Sequence, residues 1–522
     1  MIKEQILIDR KYLTFPVSKG ASKKTVLFFV DGELVYDLKI NIDTLSPGFT
    51  AYVDVSRYMG KTLTLSIPQP TLFSFGTADE IPDDTPEEAA KRPFIHHTVK
   101  NGWNNDPNGM FYYGGKYHLF YQYNPCSTVW ENMHWGHAVS EDLINWRELD
   151  ILLFPDKYGT AFSGCAFIDE KNSSGLGNGE HPPILLYYTA AGDTSVLSQG
   201  VKTTQRLAYS TDGGETFEIY PHTVVDHFVA CNRDPKVVRC DEMGCYVMAL
   251  YLVSGEFCLL RSDDLLNWER FYDFKITGDS ECPNIESFPV FSGGKIIDRR
   301  WVIFGASGVY VVGHFDKNGF ITDQEAFRPC TGSSSYAGQL FVGTDDDIIL
   351  MDWMRSQAEG ARFSQCFSLP YRLTLIYENG RYFLCRDTVR QYGKLLTDSH
   401  THTFDKELKI PMPMGAYELR LSAEYPEGGS SVINIFGHDI ILNAAKNTVS
   451  SGKFTCPISS DRKDIDLRVI VDKYSLEIFA GGGKFFFSSC YSADANITHM
   501  TVRTDIPLKS AALTVTLLKR YT

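Results

Sequence analysis

At 522 residues the chain is too long for one ordinary core, so two or three domains are expected. A formal net charge of -14, with no basic cluster interleaved with aromatics, excludes nucleic acid as a natural partner, and no apolar run is long enough to span a membrane. Twelve cysteines scattered singly, without C-x-x-C spacing, point to reduced thiols rather than a disulfide framework.

The opening stretch "MIKEQILIDRKYLTF" lacks the basic-then-apolar layout of a secretion signal. A cytoplasmic protein is therefore expected, with a periplasmic or extracellular mature form, its leader removed, as the alternative. Residues 1–85 form a strand-rich block that includes "KTVLFFVDGELVYDLKINI", where Asp31-Gly32 predicts a hairpin. This block reads as a small β-domain that packs against its neighbour rather than one that binds glycan. The acidic, proline-containing "ADEIPDDTPEEAAKRP" then reads as a linker.

"WNNDPNGM", Trp103 to Met110, surrounds one carboxylate with neutral amides. Pro107 removes a backbone donor and Asn108-Gly109 favours positive φ, so Asp106 is expected where a strand ends or turns. The following "FYYGGKYHLFYQYNP" predicts two aromatic strands around Gly114-Gly115.

Three segments then share a pattern: "HAVSEDLINWREL", "LAYSTDGGETFEIY" and "LLRSDDLLNWERF", with a weaker fourth in "VVGHFDKNGFI". Each has a strand end, an acidic turn and an aromatic at nearly constant offset, separated by apolar strands. That is the pattern of propeller blades, and Trp146 and Trp268 at equivalent positions read as blade-packing residues. After about residue 365 the alternating runs "YELRLSAEY", "DIDLRVIVDKYSLEIFAGGGKFFFSS" and "AALTVTLLKRY" predict a β-sandwich, with Gly481 to Gly483 in a hairpin turn. The expected fold is all-β: an N-terminal β-domain (1–85), a propeller (92–360) and a C-terminal β-sandwich (365–522).

Inside a propeller, strands from different blades bring distant residues to one axis. Besides Asp106, two acids stand beside proline and asparagine: Asp234 in "CNRDPKVVR" and Glu281 in "DSECPNIESFPV". A glycosidase needs such a set, one carboxylate to attack the anomeric carbon and one acid to protonate the leaving oxygen. Asp106, among amide donors, is expected to stay ionised as a nucleophile, and Glu281, nearer apolar neighbours, to carry the proton.

The ordered motifs "WNNDPNG", "YQYNP", "MHWGH", "FSG", "RDP" and "ECP" resemble glycoside hydrolase family 32, the invertases, inulinases, levanases and fructan β-fructosidases. The resemblance runs from about Pro93 to Met354 and resumes in "CFSLPYRLTL" and "VDKYSLEIFAGGG". It implies a five-bladed propeller followed by a β-sandwich, with Asp106 as nucleophile, Glu281 as acid/base and Asp234, beside Arg233, as transition-state stabiliser. It also implies a fructosyl pocket shaped by Trp103, Asn104, Asn105, Gln122, Trp130, Phe162, Ser163 and Tyr336. The first block resembles the extra N-terminal β-domain of some bacterial fructan-degrading members. One departure is Tyr371, followed by Arg372, where the family often has Arg directly after Leu-Pro.

The implied reaction is retaining hydrolysis of terminal β-D-fructofuranosyl residues of fructan or sucrose, without cofactor or metal. His96, His97, His134 and His137 lack a metal-ligand pattern and are expected to make ordinary hydrogen bonds. Alternatives are an endo-levanase, a sucrose-6-phosphate hydrolase and a non-catalytic fructan-binding protein. Cys240 and Cys245 flank a hairpin turn, where free thiols are favoured over a bridge.

Overall fold

The computed structural model describes residues 2–67, 73–230, 232–345, 347–424, 428–460, 464–494 and 496–520. Alternation of apolar and polar residues governs the first module. Tyr12–Val17 buries every second side chain, and Asp31 and Gly32 take φ of 51° and 86° in the two-residue turn their chemistry favours. Ile2–Leu7, Thr62–Ile67, Lys24–Val30 and Glu33–Ile40 form one antiparallel sheet in that spatial order. Phe49–Asp54, Tyr12–Val17 and Gly76–Ala78 form a second, and Phe15, Phe28, Leu38 and Val53 are fully buried in their shared core. The linker that follows contains a helix, Pro86–Lys91, started by a reciprocal capping box between Thr85 and Glu88.

Five strands then head successive antiparallel meanders: β1 (Gly102–Tyr113), β2 (Thr160–Ile168), β3 (Arg233–Cys240), β4 (Asn284–Ser292) and β5 (Ser335–Leu340). β1 packs beside β2, β2 beside β3, β3 beside β4 and β5 beside β1. Asn284 closes the remaining gap, its Nδ2 donating to Gly338 O (2.7 Å) and its Oδ1 accepting from Leu340 N (3.1 Å). The result is a β-propeller with these strands around its axis. Lys236, fully buried, crosses the centre by donating from Nζ to Leu340 O at 3.0 Å.

The sequence repeat is one turn used three times. Asp142, Asp212 and Asp264 each accept backbone N–H groups two to four residues on, and each is tied to the serine two residues before it. Trp146 and Trp268 fold back to donate to Leu143 O and Leu265 O, at 3.1 and 3.2 Å. Both leucines sit at positive φ, so these tryptophans lock the turn that ends the third strand of their blade.

Strand pairing runs across the boundary read from sequence. The sheets headed by β4 and β5 merge, because Val290 and Phe291 pair in parallel with Leu375 and Ile376. Tyr371–Glu378 and Arg381–Thr388, assigned by sequence to the C-terminal module, pair with Ile348–Met354 and with each other, so the ring's strands continue past residue 360 to Thr388. Their alternating pattern serves either sheet equally, and pairing decided the matter.

Beyond Thr388, two six-stranded sheets enclose a core containing Leu419, Leu421, Ile433, Ile440, Val469 and Leu513. Gly481, Gly482 and Gly483 form the hairpin turn as expected, all at positive φ. A Cβ on Gly483 would stand 2.2 Å from Arg386 O, so glycine permits the sandwich to touch the ring there.

A charged group is buried at the same interface. His96 Nδ1 meets Asp472 Oδ2 at 2.7 Å and its Nε2 lies 3.5 Å from Glu477, which also accepts from Tyr371 OH. Tyr371 thus gains a role where the family often has arginine. Burial opposes the imidazolium, but the two carboxylates outweigh it and hold His96 up at about 10. Asp472, despite burial, is held below its ordinary range. Since the folded value for His96 exceeds the unfolded one, its contribution is complete below about pH 6.5 and is lost as pH rises toward about 10. Thermal melts are expected to show a falling midpoint across that window. His96→Ala should abolish that dependence and cost about 3–5 kcal/mol, because it leaves two buried carboxylates without their cation.

The other histidines also have protein partners: His97 stacks on Phe367, His134 Nε2 meets Tyr36 OH, and His137 Nε2 lies 3.0 Å from His118 Nδ1. Cys240 and Cys245 face each other across their hairpin as free thiols, as are the other described cysteines. No described helix is long and apolar enough to cross a membrane.

Candidate active site

Asp106 does not end a strand: it lies within β1, which pairs with Lys116–Asn124 on one side and Phe363–Ser364 on the other. Proline is accommodated because the pairing register slips between Asn104 and Pro107 and again between Asn108 and Phe111. These bulges remove the need for the missing N–H and re-aim the carboxylate. The device recurs in β3, where the register slips between Arg233 and Lys236 around Asp234-Pro235. Asp234 takes φ of 64°, and Glu281 and Cys282, just ahead of β4, take 60° and 42°. Three non-glycine residues in the left-handed region mark strain concentrated at one site.

The three acids converge there. Cys282 Sγ is 3.6 Å from both Asp106 Oδ2 and Asp234 Oδ2, and Cys282 N donates to Asp234 Oδ2 at 3.1 Å. Arg233 joins the other pair, with Nη2 donating to Glu281 Oε1 at 2.5 Å and Nε 3.5 Å from Asp234 Oδ2. Tyr336 OH donates to Glu281 Oε2 at 2.6 Å. Glu281 is thus gripped by a cation and a phenol and remains partly exposed, unlike the apolar surroundings expected for it.

The amides around Asp106 form an oriented relay. Trp103 Nε1 donates to Asn105 Oδ1 (3.0 Å), and Asn105 Nδ2 donates to Gln122 Oε1 (2.8 Å) and Asp106 Oδ1 (3.1 Å). Gln122 Nε2 donates to Ser163 Oγ and Ser163 Oγ to Asp106 Oδ2, both at 2.6 Å. These bonds favour the anion, yet burial wins: Asp106 is pushed above the ordinary carboxylate value, Ser163 and Asn105 opposing the shift and the Glu281 charge adding to it. The amide and hydroxyl donors thus offset burial only in part.

Asn104 does not face the carboxylates. It is fully buried, with its carboxamide oriented so that Nδ2 donates to Ser364 O and Gln365 O, both at 3.3 Å, which pins the strand beside β1. Phe162 and Trp130 stand edge to face at 5.8 Å, and Trp130 is 45% exposed, leaving ring surface for a ligand. Trp135 is fully buried and positions Phe162 by donating to its carbonyl at 2.9 Å.

Three contributors escaped the sequence reading. Trp353 sits edge to face with both Trp103 (6.0 Å) and Tyr336 (6.2 Å) and completes that wall. Thr189 Oγ accepts from Asp234 N at 2.9 Å. Asp279 staples the Glu281 turn by accepting from Ser280 N, Ser307 N and Val309 N. Only "DSECPN" carried a usable signal, an aspartate two residues before the glutamate.

Asp234 is raised to about 6, chiefly by burial, with Arg233 opposing and Asp106 adding to the shift. A raised carboxylate makes the folded state more stable below the unfolded value, and that advantage disappears as pH climbs through about 6. Asp234→Asn is therefore expected to stabilise the protein at pH 7 by about 1–3 kcal/mol, with the gain vanishing near pH 4. Paired denaturant titrations at the two pH values check this, and equal stability at both would refute it.

Comparison with known proteins places these features in context. The model described as the glycosyl hydrolases family 32 N-terminal domain matches residues 96–385, and that for the family 32 C terminal matches residues 437–512. The levanase of Bacillus subtilis (strain 168) is 30% identical over 460 residues, 75% of this chain and 65% of its own length. The fructan beta-fructosidase of Streptococcus mutans serotype c is 32% identical over 396 residues, 69% of this chain and 26% of its own. The chain thus spans less than two thirds of each. The solved exo-inulinase of Aspergillus awamori superposes with a TM-score of 0.73 at 22% identity, covering 85% of this chain and 100% of that one, a likeness of fold.

Proposed function

The chain belongs to glycosyl hydrolase family 32, and we propose that it releases terminal β-D-fructofuranosyl residues from fructans and sucrose with retention of configuration. The supporting observation is the convergence of Asp106, Asp234 and Glu281 through Cys282 and Arg233 at the mouth of the ring. On this reading the five inner strands head five blades, between an N-terminal β-module of residues 1–85 and a C-terminal sandwich.

Asp106 attacks the anomeric carbon while Glu281 protonates the departing oxygen, giving a fructosyl ester on Asp106. Glu281 then takes a proton from water, which hydrolyses the ester from the same face. Asp234, with Arg233, accepts hydrogen bonds from fructosyl hydroxyls, and these strengthen as positive charge develops on the ring. Ser163 and the Asn105–Gln122 relay hold Asp106 in one orientation for the attack.

The test is incubation with levan, inulin and sucrose, with products resolved over time. Fructose as the first product from at least one substrate supports the proposal. Early oligosaccharides would replace it with an endo-acting enzyme, and no product from any of the three would sink it.

A further inference from the structure

β1, β2 and β3 carry Asp106, Ser163 and Asp234 near their starts, so the loops joining second to third strands open on the same end of the ring. Two such loops in adjacent blades, residues 125–133 and 192–203, lie there. The first carries Trp130. The second follows Thr189, whose hydroxyl holds the Asp234 backbone.

Both loops are gripped by the strand Glu33–Ile40 at the edge of the first module. Lys39 N donates to Asn132 Oδ1 and Asn132 Nδ2 to Lys39 O, both at 2.9 Å, so a side-chain amide imitates a strand partner. Glu131, beside Trp130, is held by Lys39 Nζ at 3.1 Å and Lys23 Nζ at 2.6 Å. Asp37 accepts from Leu197 N (2.9 Å) and Val196 N (3.0 Å) in the second loop. Cys126, from the Trp130 loop, is fully buried in the module's own hydrophobic core.

This is more than incidental packing. The Glu131 side chain is only 15% exposed, and burial works against its charge, yet the two lysines hold its carboxyl below the ordinary value. A partly desolvated carboxylate shared by two cations is costly to loosen. Trp130 packs edge to face on Phe162, the residue just before Ser163, whose hydroxyl donates to Asp106, and its half-exposed ring leaves a surface beside the site for the rest of a substrate.

We propose that the N-terminal module is a specificity-setting part of the active site: through Glu131 it fixes the Trp130 loop as the wall against which the leaving-group sugars of a fructoside rest. The assignment deepens the fructosidase reading and rests on it. Lys23, Lys39 and Glu131 are positioning residues, and they are confined to the module and loop that it grips.

The experiment compares wild type with the Lys23→Ala, Lys39→Ala double variant and the matching double arginine variant. Both lysines are about 40% exposed, so their truncation is not expected to disturb folding. Amide hydrogen exchange in residues 125–133 should rise about fivefold in the alanine variant, reporting the loosened loop without reference to turnover. The ratio of kcat/KM for short fructo-oligosaccharides to that for sucrose should fall about fivefold, mainly through KM, and the arginine variant should restore both. Unchanged exchange overturns the clamp. Faster exchange with an unchanged ratio, or an equal loss on every substrate, overturns the specificity role. If the wild type hydrolyses no fructoside, the functional reading fails and takes the specificity claim with it, whereas the exchange result still decides the clamp.

Discussion

Asp106→Asn is expected to lower kcat by about 10⁴-fold or more on every fructoside, while leaving the protein folded and no less stable at neutral pH. The two halves of this expectation come from the same geometry. An amide is nearly isosteric with the carboxylate, and Ser163 Oγ can still donate to its oxygen while Asn105 keeps its bond to Gln122, so what is lost from the relay is the single bond from Asn105 Nδ2 to position 106. What disappears is the nucleophile. The wild-type carboxylate is itself disfavoured by burial and by the Glu281 charge, so its neutral replacement removes an electrostatic burden. The same burial shapes the acid limb of activity: kcat/KM should fall with decreasing pH, because Asp106, raised above its ordinary value, must be ionised to attack and Asp234, raised to about 6, must be ionised to accept from the fructosyl hydroxyls. Steady-state rates, a pH profile and a thermal melt of the variant together check the claim. Residual activity within about tenfold of wild type would remove Asp106 from the nucleophile's role.

The architecture was largely legible because its signals are local. The Asp31-Gly32 turn, the Gly114-Gly115 hairpin and the Ser-x-Asp turns with their trailing tryptophans depend on a few adjacent residues, and they form as read. Errors arose wherever a partner decided. Proline argued against a central strand at Asp106, but the paired bulges that rescue it depend on Lys116–Asn124 across the sheet. Asn104 reads like its neighbours in sequence, yet strand geometry turns it away from Asn105 and onto Ser364 and Gln365. Tyr371–Glu378 alternates as a sandwich strand would and instead joins the ring. Even the helix at Pro86–Lys91 was signalled, by Thr85 and Glu88 at capping-box spacing, within a segment whose acidity and prolines argued for a plain linker. The three acids could be singled out because each has a proline within two residues, a local signal. Their linkage through Cys282 and Arg233 is a product of the ring and has no counterpart in spacing along the chain.

Glu281→Gln is expected to separate substrates by their leaving groups. Glutamine supplies no proton, so cleavage of sucrose and fructans, whose departing alkoxides need one, should slow by about 10²–10⁴-fold. A β-fructofuranoside of an acidic phenol needs little protonation, and its first step should slow by less than about tenfold, after which the fructosyl ester on Asp106 accumulates for want of a base. Added azide, which attacks without giving up a proton, should then restore turnover and yield fructosyl azide of retained configuration. The structure adds a complication that a second variant resolves. Glu281 accepts from Arg233 on one oxygen and Tyr336 on the other, and glutamine has one oxygen for two donors. Part of the loss on Glu281→Gln is therefore displacement of Arg233 from its place beside Asp234. Tyr336→Phe removes one donor while keeping the acid, so it should lower rates alike for good and poor leaving groups. If Glu281→Gln behaves in that uniform way and azide does not help, Glu281 positions Arg233 and the proton comes from elsewhere. A steep dependence on the leaving group together with azide rescue assigns the proton to Glu281 itself.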